Sequence, residues 1–161
     1  MCEPGAVRTL DGLPGRRCSI AGALGVVGDR WALLVVREVS LGNHRFSDIL
    51  RGTGAPRERL SARLAELVEA GVLERRQYSD APPRSGYHLT AAGRDLVPVL
   101  QSLLQWGDRW VADEPPVHLH HDPTGAGDHR IDMAWVCRTC GEPTTGRDVP
   151  RGRAGASTYE D

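Results

Sequence analysis

Three cysteines carry the chemistry that the chain most readily suggests. Cys18 follows Arg16 and Arg17 and opens the apolar run "CSIAGALGVV". A thiol at a helix start beside two guanidiniums is favoured as thiolate, so its pKa should fall below the free value of about 8.5. An inert cysteine, buried as a small apolar side chain, fits the same residues. Cys137 and Cys140, in "WVCRTCGEP", have C-x2-C spacing followed by Gly. That spacing is half of a zinc ribbon or knuckle, and a closed site takes about four ligands. There is no second C-x2-C; His118, His120, His121 and His129 precede the pair, and His129 with one of His120 or His121 are the expected further ligands. A redox pair and an unliganded remnant remain open alternatives.

The cationic side chains suggest a different chemistry. All 20 basic residues are arginine, and a guanidinium suits bidentate recognition of phosphate and guanine. The net charge of −1 does not announce a nucleic-acid binder. The distribution is more informative: residues 44–94 carry nine Arg against six acids, whereas 95–161 carry six Arg against eleven. A basic segment followed by an acidic one is compatible with a DNA-binding module and an accessory region.

The elements that must position these groups follow from periodicity. Residues 1–16 hold Pro and Gly without a repeat and read as a flexible arm. A helix is expected over 18–27, with Ile20, Leu24 and Val27 on one stripe and Gly28 as its stop. A second, over 29–41, has Asp29 as cap and Trp31, Leu34, Val35 and Val39 inward. A short helix starts near Phe46, and "RGTGAP" reads as a turn. The helix over 56–70 places Leu60, Leu64, Leu67 and Val68 at i, i+4, i+7 and i+8, with Pro56 in its first turn and Gly71 as a left-handed stop. "VLERRQY" and "GYHLT" read as two strands joined by "SDAPPRS", with Arg84 near the tip. Thr90 caps a long helix to about Val111, which Pro98 should bend or divide into two parts. Residues 113–150 form a Cys- and His-containing extension with a small hairpin expected within 129–150; 151–161 read as disordered.

Three helices, a turn into an amphipathic helix, a hairpin and a long helix make a winged helix-turn-helix, mainly α with a small β-hairpin. In that arrangement the polar side of 56–70 faces a major groove about 12 Å wide. Arg57, Arg59 and Arg63 supply charge there, Ser61 a short hydrogen-bonding group, and Ala62 room for close approach. Arg45 and Ser47, at the start of the short helix, and Arg84 on the wing complete the candidate DNA contacts. An ordinary solvated helix face is the plain alternative for 56–70 taken alone.

The ordered pieces "C-S-I-A-G-A-L", "G-D-R-W-A-L-L", "H-R-F-S-D-I-L", "R-L-A-E-L-V-E-A-G-V-L-E-R", "P-P-R-S-G-Y-H-L-T" and "W-G" span about 18–107. Together they resemble the HxlR-type transcriptional regulators, relatives of MarR. The resemblance implies a domain over 17–112 that is a homodimeric winged-helix protein binding double-stranded operator DNA, with repression the expected sign and no catalytic residues. "G-A-P-R-E-R-L" departs from many relatives at the recognition-helix start, so no operator sequence carries over. The resemblance also implies a cysteine at the Cys18 position that senses oxidants or electrophiles in several relatives, and a role for the first helix in the dimer interface. Dimerisation has support in the residues too. Leu96, Leu100, Leu103, Gly107 and Trp110 make one stripe, and Trp106 widens it. With Ile20 and Leu24, the residues Leu100, Leu103, Trp106 and Trp110 are the candidate interface; a C-terminal extension folded over the indoles is the alternative.

Composition excludes other classes. No apolar run is long enough to cross a membrane, and the start lacks a basic segment followed by an apolar core, so a cytoplasmic protein is expected. A thiol enzyme built on Cys137 and Cys140 would lack the βαβ context of such motifs. A winged helix used for protein contact alone would show no salt-dependent binding to duplex DNA. A small-molecule or redox inducer fits the regulator reading, and zinc in the extension is the one expected cofactor.

Overall fold

In the computed structural model, residues 18–80, 83–122, 125, 127–131 and 133–144 are described. They fall into two compact units, divided between Trp110 and Val111. The arm expected over 1–16, the Arg16–Arg17 pair and the tail over 151–161 lie outside the described residues.

Four helices open the first unit: α1 (Ser19–Val27), α2 (Arg30–Ser40), α3 (Phe46–Thr53) and α4 (Arg57–Glu69). Gly28 ends α1, its N–H donating to Leu24 O. Asp29 then starts α2, its carboxylate accepting from the Trp31 N–H at 2.8 Å, which satisfies one of the donors a helix start leaves free. The chain bends by 77° between α1 and α2, and no single described helix is long and apolar enough to cross a membrane. α3 runs through Thr53, so the turn read in "RGTGAP" shrinks to Gly54, Ala55 and Pro56. Gly54 takes the left-handed conformation there (φ 65°), which a side chain would disfavour. The Thr53 hydroxyl donates to Ile49 O at 2.8 Å and accepts from the Ala55 N–H at 3.3 Å, fixing the path into α4. Pro56 is the N-cap of α4 rather than a residue of its first turn.

The core is one apolar cluster. Leu60, Leu64 and Leu67 of α4 are fully buried with Val35 and Val36 of α2, Ile49 of α3 and Leu73 of the following strand. The 3.6-residue stripe read from the sequence is therefore the inward face of α4. Gly71, left-handed at φ 69°, turns the chain into β1 (Leu73–Asp80), which pairs antiparallel with β2 (Pro83–Leu89) from Leu73↔Leu89 out to Asp80↔Pro83, with an irregularity between Gln77 and Ser79.

Thr90 caps as expected, accepting from the Gly93 N–H and donating to Gly71 O. The long helix is in two parts, α5 (Ala91–Arg94) and α6 (Val97–Trp110), with Pro98 in the first turn of α6, where a missing N–H costs no helical hydrogen bond. Leu96 and Leu100 pack on the core; further along, α6 has no buried residue.

Among its described residues the second unit has two small antiparallel ladders. β3 (His120–His121) pairs with β4 (His129–Arg130), and β5 (Trp135–Val136) with β6 (Pro143–Thr144).

Candidate nucleic-acid interface

α3 and α4, joined by the Gly54 turn, form the helix-turn-helix, and α4 presents its polar side outward because its leucines face the core. Arg57, Arg59, Ser61 and Ala62 are all exposed. Arg45 and Ser47, at the start of α3, are exposed as well. Two of these guanidiniums rest on aromatic rings: Arg57 Cζ is 4.9 Å from the Phe46 ring centroid, and Arg45 Cζ is 5.3 Å from that of Tyr78 in β1. Such contacts hold a flexible cation in place without neutralising it.

Arg63 differs from the reading that placed it beside Arg57 and Arg59. Its Nε lies 3.4 Å from Asp29 Oδ1, its Nη1 pairs with Glu66, and its side chain is only 21% exposed. Its place beside Leu67 on the helical wheel lets it reach the α2 cap, so it braces α4 against α2 instead of standing free for a phosphate.

The hairpin β1–β2 lies beside the helix-turn-helix as a wing. Tyr87 N–H donates to His44 O at 2.8 Å, and His44 Nδ1 lies 2.9 Å from Tyr87 O, which sews β2 to the loop entering α3. The His44 and His88 rings stack with centroids 4.1 Å apart. Burial, then His44, then Arg76 hold the His88 pKa below the ordinary imidazole value, with Glu74 opposing. Arg84, opposite Ser79 near the tip, is exposed, and so are Arg75 and Arg76. Sequence reasoning named only Arg84 on the wing; strand alternation over "LERRQY" was the available signal for Arg76, whereas Arg75 shares the face of buried Leu73 and gave none.

Glu38 was also missed. It is an acidic residue only 5% exposed. Its carboxylate accepts from Asn43 Nδ2 at 2.7 Å and pairs with Arg37 at 2.7 Å, while Arg37 donates to Gly52 O at 2.8 Å. The cluster fastens the end of α2 to the end of α3, upstream of the turn that aims α4.

The expected dimer residues divide by burial. Leu100 is packed on the core, whereas Ile20 (70% exposed), Leu24 (58%), Leu103, Trp106 (59%) and Trp110 (67%) face outward. Cys18 is half-buried at the N-cap of α1, where the backbone N–H groups of Ala21 and then Ile20 lower its pKa.

The second unit does not assemble the expected zinc ligands. His120 Nδ1 lies 3.1 Å from Asp128 Oδ2, and the His121 and His129 rings meet at 4.6 Å, all within the β3–β4 hairpin. Cys137 and Cys140 lie in the turn between β5 and β6. Among the described residues no group of three or more His, Cys, Asp or Glu side chains converges. The two thiols present supply half of what a closed zinc site takes, so His120, His121 and His129 do not fit the role assigned to them.

Comparison with known proteins agrees with the geometry. A family described as HxlR-like helix-turn-helix matches residues 26–115. The chain is 44% identical over 133 residues to Rv3095 of Mycobacterium tuberculosis, described as an HTH-type transcriptional regulator, covering 81% of this chain and 82% of that one. The crystal structure of PA1607, a putative transcription factor, aligns with a TM-score of 0.72 and 31% identity over 84% of this chain and 94% of the other. The redox regulator HypR in its oxidised form aligns with a TM-score of 0.52 and 28% identity over 57% of this chain and 96% of its own.

Proposed function

The chain belongs to the HxlR-like helix-turn-helix family and is a DNA-binding transcriptional regulator rather than an enzyme; from that premise we propose that it acts as a homodimer that represses by binding an inverted repeat. The observation that carries this reading is the exposure of large apolar side chains on α1 and on α6, together with the exposed polar face of α4. An indole buries about 200 Å² when covered. At their exposures, covering Trp106 and Trp110 removes roughly 250 Å² from water, or about 6 kcal/mol at ~25 cal/mol per Å². A second copy related by a two-fold axis supplies the same apolar surface in return. Two α4 helices would then enter successive major grooves about 34 Å apart, with Arg45, Arg57 and Arg59 at the bases and phosphates and Arg84 on the flanking backbone.

Cys18 is the proposed point of redox control. The Ala21 and Ile20 amides at the start of α1 lower the pKa of its thiol, and α1 carries the exposed Ile20 and Leu24 of the proposed dimer surface. Oxidation there would shift α1 and change the spacing of the two α4 helices. Similarity to a redox regulator supports this reading.

The experiment is sedimentation of the purified protein alongside selection of bound fragments from random duplex DNA. A dimer that selects inverted repeats with half-sites about one turn apart is expected. Trp106→Arg should dissociate it and abolish repeat selection while leaving weak, salt-sensitive binding to any duplex. A monomer selecting single half-sites would refute the dimer. A Cys18→Ser protein that released DNA on diamide treatment as readily as wild type would refute the sensor role.

A further inference from the structure

We propose that Cys137 and Cys140 are a dithiol that exchanges with small disulfides and closes reversibly to a disulfide within one chain, with Cys137 as the attacking sulfur. Both thiols are free; Cys140 is exposed and Cys137 half-buried. They occupy the first and fourth positions of the turn joining β5 and β6. The turn is pinned at both ends of Cys137, whose N–H donates to Glu142 O at 2.9 Å and whose carbonyl accepts from the Gly141 N–H at 2.7 Å. The Gly141-to-Cys137 bond closes one i→i+4 turn, in which side chains three positions apart share a side with Cβ atoms about 5–6 Å apart, close to the Cβ separation of about 3.5–4.5 Å that a disulfide spans. Bond formation therefore needs side-chain rotation and little backbone movement.

The surroundings distinguish the two sulfurs. The backbone N–H of Cys140, then that of Thr139, then the Cys140 side chain, with a smaller effect of the Thr139 side chain, favour the Cys137 thiolate, and burial opposes them. Together they bring the Cys137 thiol down to about 7. An attacking thiol works best when its pKa is near ambient pH, because thiolate fraction and nucleophilicity then balance.

The chemistry closes on itself. The Cys137 thiolate attacks one sulfur of a small disulfide, that S–S bond breaks, and one thiolate leaves and takes a proton from water. The Cys140 thiol releases its proton and attacks the Cys137 sulfur of the mixed disulfide. The second small thiolate then leaves. Two protein thiols are oxidised, and one small disulfide is reduced to two thiols. The missing convergent histidines are consistent with this use of the pair: it needs no third donor.

The test uses the full chain carrying Cys2→Ser and Cys18→Ser, equilibrated in a glutathione redox buffer at pH 7, quenched, alkylated and mapped by mass. The expected product is a Cys137–Cys140 disulfide within one chain, reversed by excess reduced glutathione. Cys140→Ser should stall with glutathione on Cys137. Cys137→Ser should react at Cys140 more slowly than Cys140→Ser reacts at Cys137. Glutathione adducts on the intact pair without ring closure would overturn the proposal, as would a disulfide only between chains, or equal rates in the two variants. One zinc retained per chain and shielding both sulfurs from alkylation would overturn it in favour of a metal site.

Discussion

Gly52→Ala should destabilise the protein, although it replaces the worst non-proline helix former with the best. Gly52 lies in α3, and a methyl there would sit 2.0 Å from Glu38 Oε2 and 2.3 Å from its Cδ. That carboxylate is buried and holds Asn43 and Arg37, each at 2.7 Å. To admit the methyl it must leave both. Losing a hydrogen bond to a buried charge costs about 1.5–3 kcal/mol. The Arg37 pair adds about 0.5–1 kcal/mol, because the arginine is substantially exposed and screened. Alanine in the helix returns about 0.8–1 kcal/mol. The net loss is about 1–3 kcal/mol, read as a lower urea midpoint with an unchanged slope. On a Glu38→Ala background the obstacle is gone, and the same substitution should stabilise by about 0.5–1 kcal/mol. The reversal of sign is the test. If Gly52→Ala stabilises both backgrounds alike, the carboxylate does not occupy the space beside Gly52 and the account of this joint is wrong. Affinity for operator DNA should fall with stability, since the joint holds the helix that precedes the turn into α4.

Other perturbations separate the parts of the interface. Arg59→Ala should cost about 1–3 kcal/mol of discrimination between sequences if it reads guanine, whereas Arg84→Ala should weaken all sequences alike and lower the salt slope by about one; identical effects in titrations over a salt series would refute that division. Thr90→Val removes the cap of α5 and the hydroxyl donated to Gly71 O, and should cost about 1–2 kcal/mol in denaturant unfolding; no loss would mean that the cap contributes nothing. Acid should loosen the wing. The His88 pKa is lowered in the fold, so the unfolded chain takes up protons first, below about pH 6.5. The stabilising contribution is therefore full above that value and is lost as pH falls through the folded pKa. His88→Gln should flatten unfolding free energy against pH between 7 and 5, and an unchanged slope would refute the assignment.

What the sequence disclosed and what it hid divide by range. The leucine stripe of α4, the Asp29 and Thr90 caps and the stop at Gly71 each depend on residues within a few positions of one another, and all stand where periodicity and capping rules put them. Pro98 signalled a bend or a divided start, and α5–α6 is the divided start. Glu38 could not be found this way. Its burial depends on Asn43 and Gly52, which belong to the next loop and the next helix, and a charged residue near a helix end ordinarily reads as solvated. Arg63 was misplaced for the same reason: its wheel position beside Leu67 was visible, but its partner Asp29 is a loop residue on another element. The histidines of the second unit show the limit most directly. Spacing placed four imidazoles upstream of two thiols, but nothing local says whether one hairpin turns toward the next, and His120, His121 and His129 find partners within their own.

The two long-range ties that the sequence concealed bear on the same function. Glu38 fixes α3 against α2, and Arg63 fixes α4 against the Asp29 cap, so the turn at Gly54 is held from both sides. The wing is tied to the same loop through His44 and Tyr87, and Arg45 lies across Tyr78 of β1. Each of the arginines proposed to contact DNA thus projects from a frame in which two helices and the hairpin share fastenings. Precision matters here because a bidentate contact to a base edge fails with small displacements, while a phosphate contact tolerates them. Loosening either tie should therefore erode sequence discrimination before it erodes affinity for DNA in general.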